Sequence, residues 1–111
     1  MITVWKFKIP IEAMFTLEMP KEAEILHAEA FSDRDIFMWA RVDDEAPLEH
    51  RSFSLIGTGK PVPTGPHIAS FSLHAGDIIL HLFERTTKRS LEERLVRLER
   101  QVSALLSVAD V

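Results

Sequence analysis

Between Trp5 and Phe83 apolar side chains recur at every second position, in short runs closed off by Pro, Gly or Asp. That period is the strongest constraint in the sequence. An alternation of two belongs to a strand that buries one face, and several such strands must stack to close a core. Trp5, Phe7 and Ile9 alternate with Lys6 and Lys8 before Pro10 ends the first run. Phe15, Leu17 and Met19 alternate with Thr16 and Glu18 before Pro20, and the Lys21-Glu22 step leads on to Glu24 through Phe31 as a hairpin. After the Ser32-Asp33-Arg34-Asp35 turn, Ile36, Met38, Ala40 and Val42 face one way and Phe37, Trp39 and Arg41 the other. Apolar residues on both sides predict a mid-sheet strand buried on both faces.

Asp43 through Pro47 interrupts the pattern, which resumes over Arg51 to Ile56 with Phe53 and Leu55 opposite Ser52 and Ser54. Gly57 through Pro66 holds three glycines and three prolines, which excludes helix and central strand and makes this the principal loop. Ala69, Phe71 and Leu73 form the next run, His74 through Asp77 the next turn, and Ile78 to Phe83 a nearly continuous apolar strand. About seven short strands joined by tight turns predict a mainly β chain, an antiparallel sandwich or small barrel, over residues 1–84.

Beyond a connector at 85–90 the period changes. Leu91, Leu95, Leu98, Val102 and Leu105 are spaced four and three apart among Glu and Arg residues, the rhythm of a coiled coil over residues 91–108. Ser90 with Glu93 predicts a capping box at its start, and Glu93 with Arg97 a favourable pair one turn apart. A helix of about three heptads is marginal in water and needs a partner. One partner is the chain's own sheet. The other is a second and third copy, favoured because Arg94-Leu95-Val96-Arg97-Leu98-Glu99 matches the Arg-h-x-x-h-Glu pattern of trimeric coiled coils, with Arg94 and Glu99 pairing between helices. A homotrimer is the reading, with a dimer or a hexamer of paired trimers as variants.

Composition narrows the function classes. The chain has 111 residues and no cysteine, so it offers one modest core without disulfides or thiolate metal sites, which suits a reducing cytoplasm. Its N-terminus lacks the features of a signal peptide, and no apolar stretch approaches the roughly 20 residues that span a bilayer. A formal charge of −4 argues against general nucleic-acid binding, which needs a basic stripe.

No motif points to catalysis, and a non-enzymatic protein without a cofactor is expected. Gly57-Thr58-Gly59-Lys60 lacks the spacing of a P-loop and is followed by Pro61, although Thr58 and Lys60 suit a ligand contact from a loop. The five histidines, at 27, 50, 67, 74 and 81, form no close ligand pair and predict no metal site. The acidic run Asp43-Asp44-Glu45 reads as a solvated turn. Trp39 and Arg41, with Arg51 on a later strand, supply an aromatic and cationic combination for a small planar anion.

Several of these stretches occur together in a known family. Trp5-Lys6-Phe7, Met19-Pro20, Trp39-Ala40-Arg41-Val42-Asp43, the Gly57 to Pro63 loop and His81-Leu82-Phe83-Glu84 resemble, in order and spacing, uncharacterised small β proteins of bacteriophages and prophages. The resemblance implies a viral accessory protein in the cytoplasm of an infected bacterium and carries over no catalytic residues. Joined to the residue reading, it predicts an oligomer that binds and sequesters a host molecule, of the nucleotide immune-signal kind, through Trp39, Arg41, Arg51, Thr58 and Lys60. A virion tail, fibre or decoration component, or an inhibitor of a host protein, is the alternative.

Overall fold

The computed structural model describes residues 1–109 and places seven strands in two antiparallel sheets, followed by one long helix. The strands are β1 (Ile2–Ile9), β2 (Met14–Pro20), β3 (Glu24–Ala30), β4 (Ile36–Asp43), β5 (Leu48–Gly57), β6 (His67–Leu73) and β7 (Ile78–Glu84). One sheet has the order β1-β4-β3 and the other β2-β5-β7-β6. The sheets remain open, so the architecture is a sandwich and not a closed barrel. Only β3–β4 and β6–β7 pair as sequence neighbours; every other pairing is made by strands distant in the chain.

Two sequence expectations change here. β2 and β3 lie in different sheets, so the Lys21-Glu22 step carries the chain across the sandwich and makes no hairpin. Glu22 takes a left-handed conformation there, with φ 65°, and the turn is closed by Ala23 N–H donating to the Pro20 carbonyl at 3.1 Å. β4 is the central strand of its sheet as its pattern predicts, but only one of its faces is deeply buried. Ile36, Met38, Ala40 and Val42 are buried, whereas Phe37 and Trp39 are half-covered and Arg41 is exposed, because no layer packs on that outer face.

The core lies between the sheets. Phe53, Ile9, Met19, Ile36, Met38, Leu82 and Val42 are its largest fully buried side chains, and the rings of Phe15 and Phe53 stack across the β2–β5 pair at 5.5 Å. The β3–β4 hairpin is fixed by local chemistry. Ser32 Oγ donates to Asp35 Oδ2 at 2.7 Å and accepts from the Asp35 amide at 3.1 Å, while Lys8 lies 3.6 Å from the same carboxylate group. The Ser32 hydroxyl, aided by Lys8, holds the Asp35 carboxyl below its ordinary range. The hairpin therefore gains its charge-assisted bonds above the unfolded carboxyl range and loses them as pH falls through the lowered value. At the other end of β4 the acidic run does more than turn: Asp44 Oδ1 accepts from the Met1 amine at 2.9 Å, raising that amine above its usual value.

The helix, α1 (Lys88–Ala109), begins three residues before the predicted start at Leu91. Thr87 is the capping residue. Its Oγ1 accepts from the Ser90 amide at 3.1 Å, and Ser90 Oγ accepts from the Thr87 amide at 2.9 Å, so the reciprocal box forms with serine in its second position. At 22 residues α1 is about 33 Å long. Among the described residues its backbone comes close to none of the seven strands. Its middle approaches the β sandwich through Arg97, whose Nε lies 3.6 Å from Glu22. Leu91, Leu95, Leu98 and Val102 are each more than half exposed and Leu105 still more so.

Candidate functional site

Alternation decides which side chains can meet a ligand. In the three-stranded sheet β1 runs beside β4, pairing Val4 with Arg41, Lys6 with Trp39 and Lys8 with Phe37. β3 runs along the other side, pairing Glu24 with Arg41, His27 with Trp39 and Glu29 with Phe37. These pairs share the outer face, because the intervening residues of β4 fill the core. The result is a grid with aromatics down its centre, lysines along β1 and carboxylates along β3.

The rings are in contact. Phe31, Phe37 and Trp39 lie with centroids 5.8 to 6.5 Å apart at steep mutual angles, and His27 stacks on Trp39 at 5.8 Å. Lys6 Nζ sits 4.1 Å from the centre of the Phe37 ring and 6.0 Å from that of Trp39. Lys6 meets no carboxylate among the described residues. Arg41 is paired with Glu24 at 2.9 Å, an exposed bridge of the kind worth less than about 1 kcal/mol and readily exchanged for another anion.

The other predicted contacts lie elsewhere. Arg51 pairs across the sheet with inward-facing Leu17 and points between the sheets, where Nε and Nη2 each donate to the Glu84 carboxylate at 2.7 Å and Nη1 to the Ala23 carbonyl. Both side chains are about four-fifths buried, at 17% and 18% exposure. Arg51 is thus a satisfied structural ion pair, not a free anion contact. It forms part of the wall of a cavity of about 430 Å³ at the base of α1, with Glu84, Arg85 and Arg94 also lining it. Arg85, Arg94 and Glu84 were outside the predicted ligand set.

Thr58 and Lys60 sit on the turn after β5, closed by the Lys60 amide on the Gly57 carbonyl at 3.2 Å. Thr58 Oγ1 lies 3.0 Å from His81 Nε2, on the outer face of the four-stranded sheet, and Lys60 is exposed. The structure therefore brings Trp39 and Arg41 onto one face and separates them from Arg51, Thr58 and Lys60. Lys6, Phe31, Phe37 and His27, which sequence reasoning did not select, complete that face. Their signal was present: Lys6 and Lys8 alternate outward from Trp5 and Phe7, and Phe37 shares its parity with Trp39.

The fold and this face together define a two-sheet β domain with an open aromatic and cationic sheet surface and a protruding amphipathic helix. The chain belongs to the DUF7352 family, a domain of unknown function whose model matches residues 1–93. No curated protein and no solved structure matches the chain. The family match spans the whole sandwich and ends in the first turns of α1. Among the described residues no helix is long and apolar enough to cross a membrane, and no three His, Cys, Asp or Glu side chains gather as a metal site.

Proposed function

We propose that this protein is a non-enzymatic oligomer that binds and sequesters a small planar anion of the nucleotide kind on the outer face of its three-stranded sheet. The observation that supports it is the row Lys6, Trp39, His27: an indole on an exposed sheet face with an uncompensated ammonium beside it. A base lies over Trp39 and Phe37, and its phosphate turns toward Lys6 and Lys8. Stacking of a base on an aromatic ring is worth about 1–3 kcal/mol, enough for specificity of class when joined to charge. The acidic β3 side repels the phosphate and fixes its direction.

Self-association through α1 belongs to the same reading. Winding the helix at 3.6 residues per turn puts Glu93, Arg97 and Arg100 toward the sandwich and the Leu91, Leu95, Leu98, Val102, Leu105 stripe on the far side. That stripe covers itself by meeting two copies, with Arg94 of one helix on Glu99 of the next, and three sheet faces then act as one multivalent trap. The resemblance to phage proteins supports the further proposal that such a trap acts in an infected bacterial cell, with a host signal as its ligand.

Trp39 reports on its own site. The only other tryptophan is Trp5, so in a Trp5→Phe background the emission comes from Trp39 alone. Titration with a panel of ribonucleotides and cyclic dinucleotides is expected to quench it saturably, and Lys6→Glu is expected to weaken that binding at least tenfold. Absence of quenching across the panel, or quenching indifferent to Lys6→Glu, would overturn the reading.

A further inference from the structure

On the opposite side of the molecule, the outer face of the four-stranded sheet carries a connected row of four polar side chains. β6 and β7 pair so that Ser70 stands opposite His81, and the irregularity between His67 and Ala69 swings His67 onto the same face. His67 Nε2 lies 2.9 Å from Ser70 Oγ, and His81 Nδ1 lies 2.7 Å from that same oxygen. The other nitrogen of His81 is held by Thr58 Oγ1 at 3.0 Å, and the ring of His67 stands edge-on to Phe83 at 5.2 Å.

From this geometry we infer that His67 and His81, with Ser70 between them, form a binding site for one imidazole-preferring divalent transition ion, of the zinc, nickel or copper class. Two imidazole nitrogens from neighbouring strands aim at one point, which is what a shared metal requires. An ion bound by both rings at about 2.0–2.1 Å needs the two nitrogens about 4 Å apart or less, and each already stands within 2.9 Å of one oxygen, Ser70 Oγ. Ser70 Oγ or water fills a further position. Neutral imidazole is the ligand form these ions prefer.

The second feature is the support behind the ligands. Metal-bound histidines characteristically hydrogen-bond through the nitrogen that does not touch the metal, which fixes ring orientation and tautomer. Thr58 is placed to do this for His81: in the tautomer with the proton on Nε2, that nitrogen donates to Thr58 Oγ1 and the Nδ1 lone pair faces Ser70 and the site. Phe83 restricts His67 by contact with its ring face or edge. The Gly57-Thr58-Gly59-Lys60 turn thereby gains a role, the placement of Thr58 over β7, that its resemblance to a phosphate loop does not supply.

The sequence hid this site because His67, Ser70 and His81 fall on two strands at spacings with no ligand signature. Strand pairing makes them adjacent. The site is independent of the proposed anion surface, which lies on the other sheet.

Calorimetric titration of the full chain with zinc chloride near pH 7.5 tests it. One ion per chain is expected. His67→Ala and His81→Ala should each lower the affinity at least tenfold, and Thr58→Val, which leaves both candidate ligands in place, should lower it about 10- to 100-fold. His27→Ala, on the opposite sheet, should change nothing. All four positions lie on sheet faces or in a turn outside the core, and thermal unfolding of each variant verifies that it is folded. Failure to bind zinc, or binding that survives His81→Ala in a folded chain, would overturn the inference; loss on His27→Ala alone would place the ion elsewhere and overturn it equally.

Discussion

Replacing Gly65 with alanine is expected to be among the most damaging single changes in the chain, with a loss of about 4 kcal/mol or more. Gly65 has φ 137°, a backbone conformation that side chains rarely adopt, and an added Cβ would come within 1.8 Å of the Glu84 carbonyl oxygen. That oxygen belongs to the main chain and cannot turn aside. The close approach exists because the loop zips onto the end of β7: the Glu84 amide donates to the Pro66 carbonyl at 3.0 Å and the Thr86 amide to the Thr64 carbonyl at 2.6 Å. Pushing the strands apart to admit a methyl group breaks both bonds and displaces the Glu84 carboxylate from Arg51. A domain of this size has about 5–15 kcal/mol of stability in total, so the loss is a large share of it. Gly59 provides the control. It also has a positive φ, 89°, but its missing Cβ would meet nothing within 4 Å. Gly59→Ala should therefore cost only the backbone strain, about 1–2 kcal/mol. Urea unfolding of the two variants against the parent chain measures the difference, and equal costs would contradict the packing role given to Gly65.

The second large effect concerns the ion pair itself. Arg51→Met should cost about 3 kcal/mol, because it leaves the Glu84 carboxylate largely buried with its two bonds lost and the Ala23 carbonyl without its donor. The pair's net worth is smaller than that figure. Withdrawing two charges from water costs much of what their attraction returns, so Arg51→Met with Glu84→Leu should recover most of the stability lost by the single change. The same urea measurements, set out as a double-mutant cycle, give the coupling. A double variant no more stable than Arg51→Met would show that the pair holds the sandwich by geometry that apolar packing does not replace.

This ion pair also shows how much of the molecule can be read from its sequence. Arg51 shares its parity with Phe53 and Leu55, and Glu84 with Leu80 and Leu82, so both charges stand at core-facing positions of their strands. Opposite charges at inward positions on two strands are a legible sign of a buried pair. What the alternation does not carry is which strands are neighbours. β5 and β7 are joined only through a long loop and β6, and nothing in either run specifies the pairing of Phe53 with Glu84. The same gap explains the candidate sites. Trp39 and Arg41 were legible as one face of one strand, while Lys6 and His27 joined them only through the partition into two sheets. Helix period was easier still, because among the described residues the backbone of α1 stays clear of every strand and its stripe reads directly as an exposed face. Its start was displaced because Thr87 and Ser90 both suit a cap, and the choice depends on where β7 releases the chain.

Among the described residues the sandwich covers none of the exposed leucine stripe of α1, and this is the ground on which α1 is proposed as an assembly device. Native mass spectrometry of the intact chain, and of a chain lacking residues 88–111, tests this most directly. Among the described residues the core contains none from the helix, so the shortened chain should still fold. Assembly through α1 predicts a trimer, or a multiple of three, for the intact protein and a monomer after truncation. A monomeric intact protein, or an assembly that persists without the helix, would contradict it.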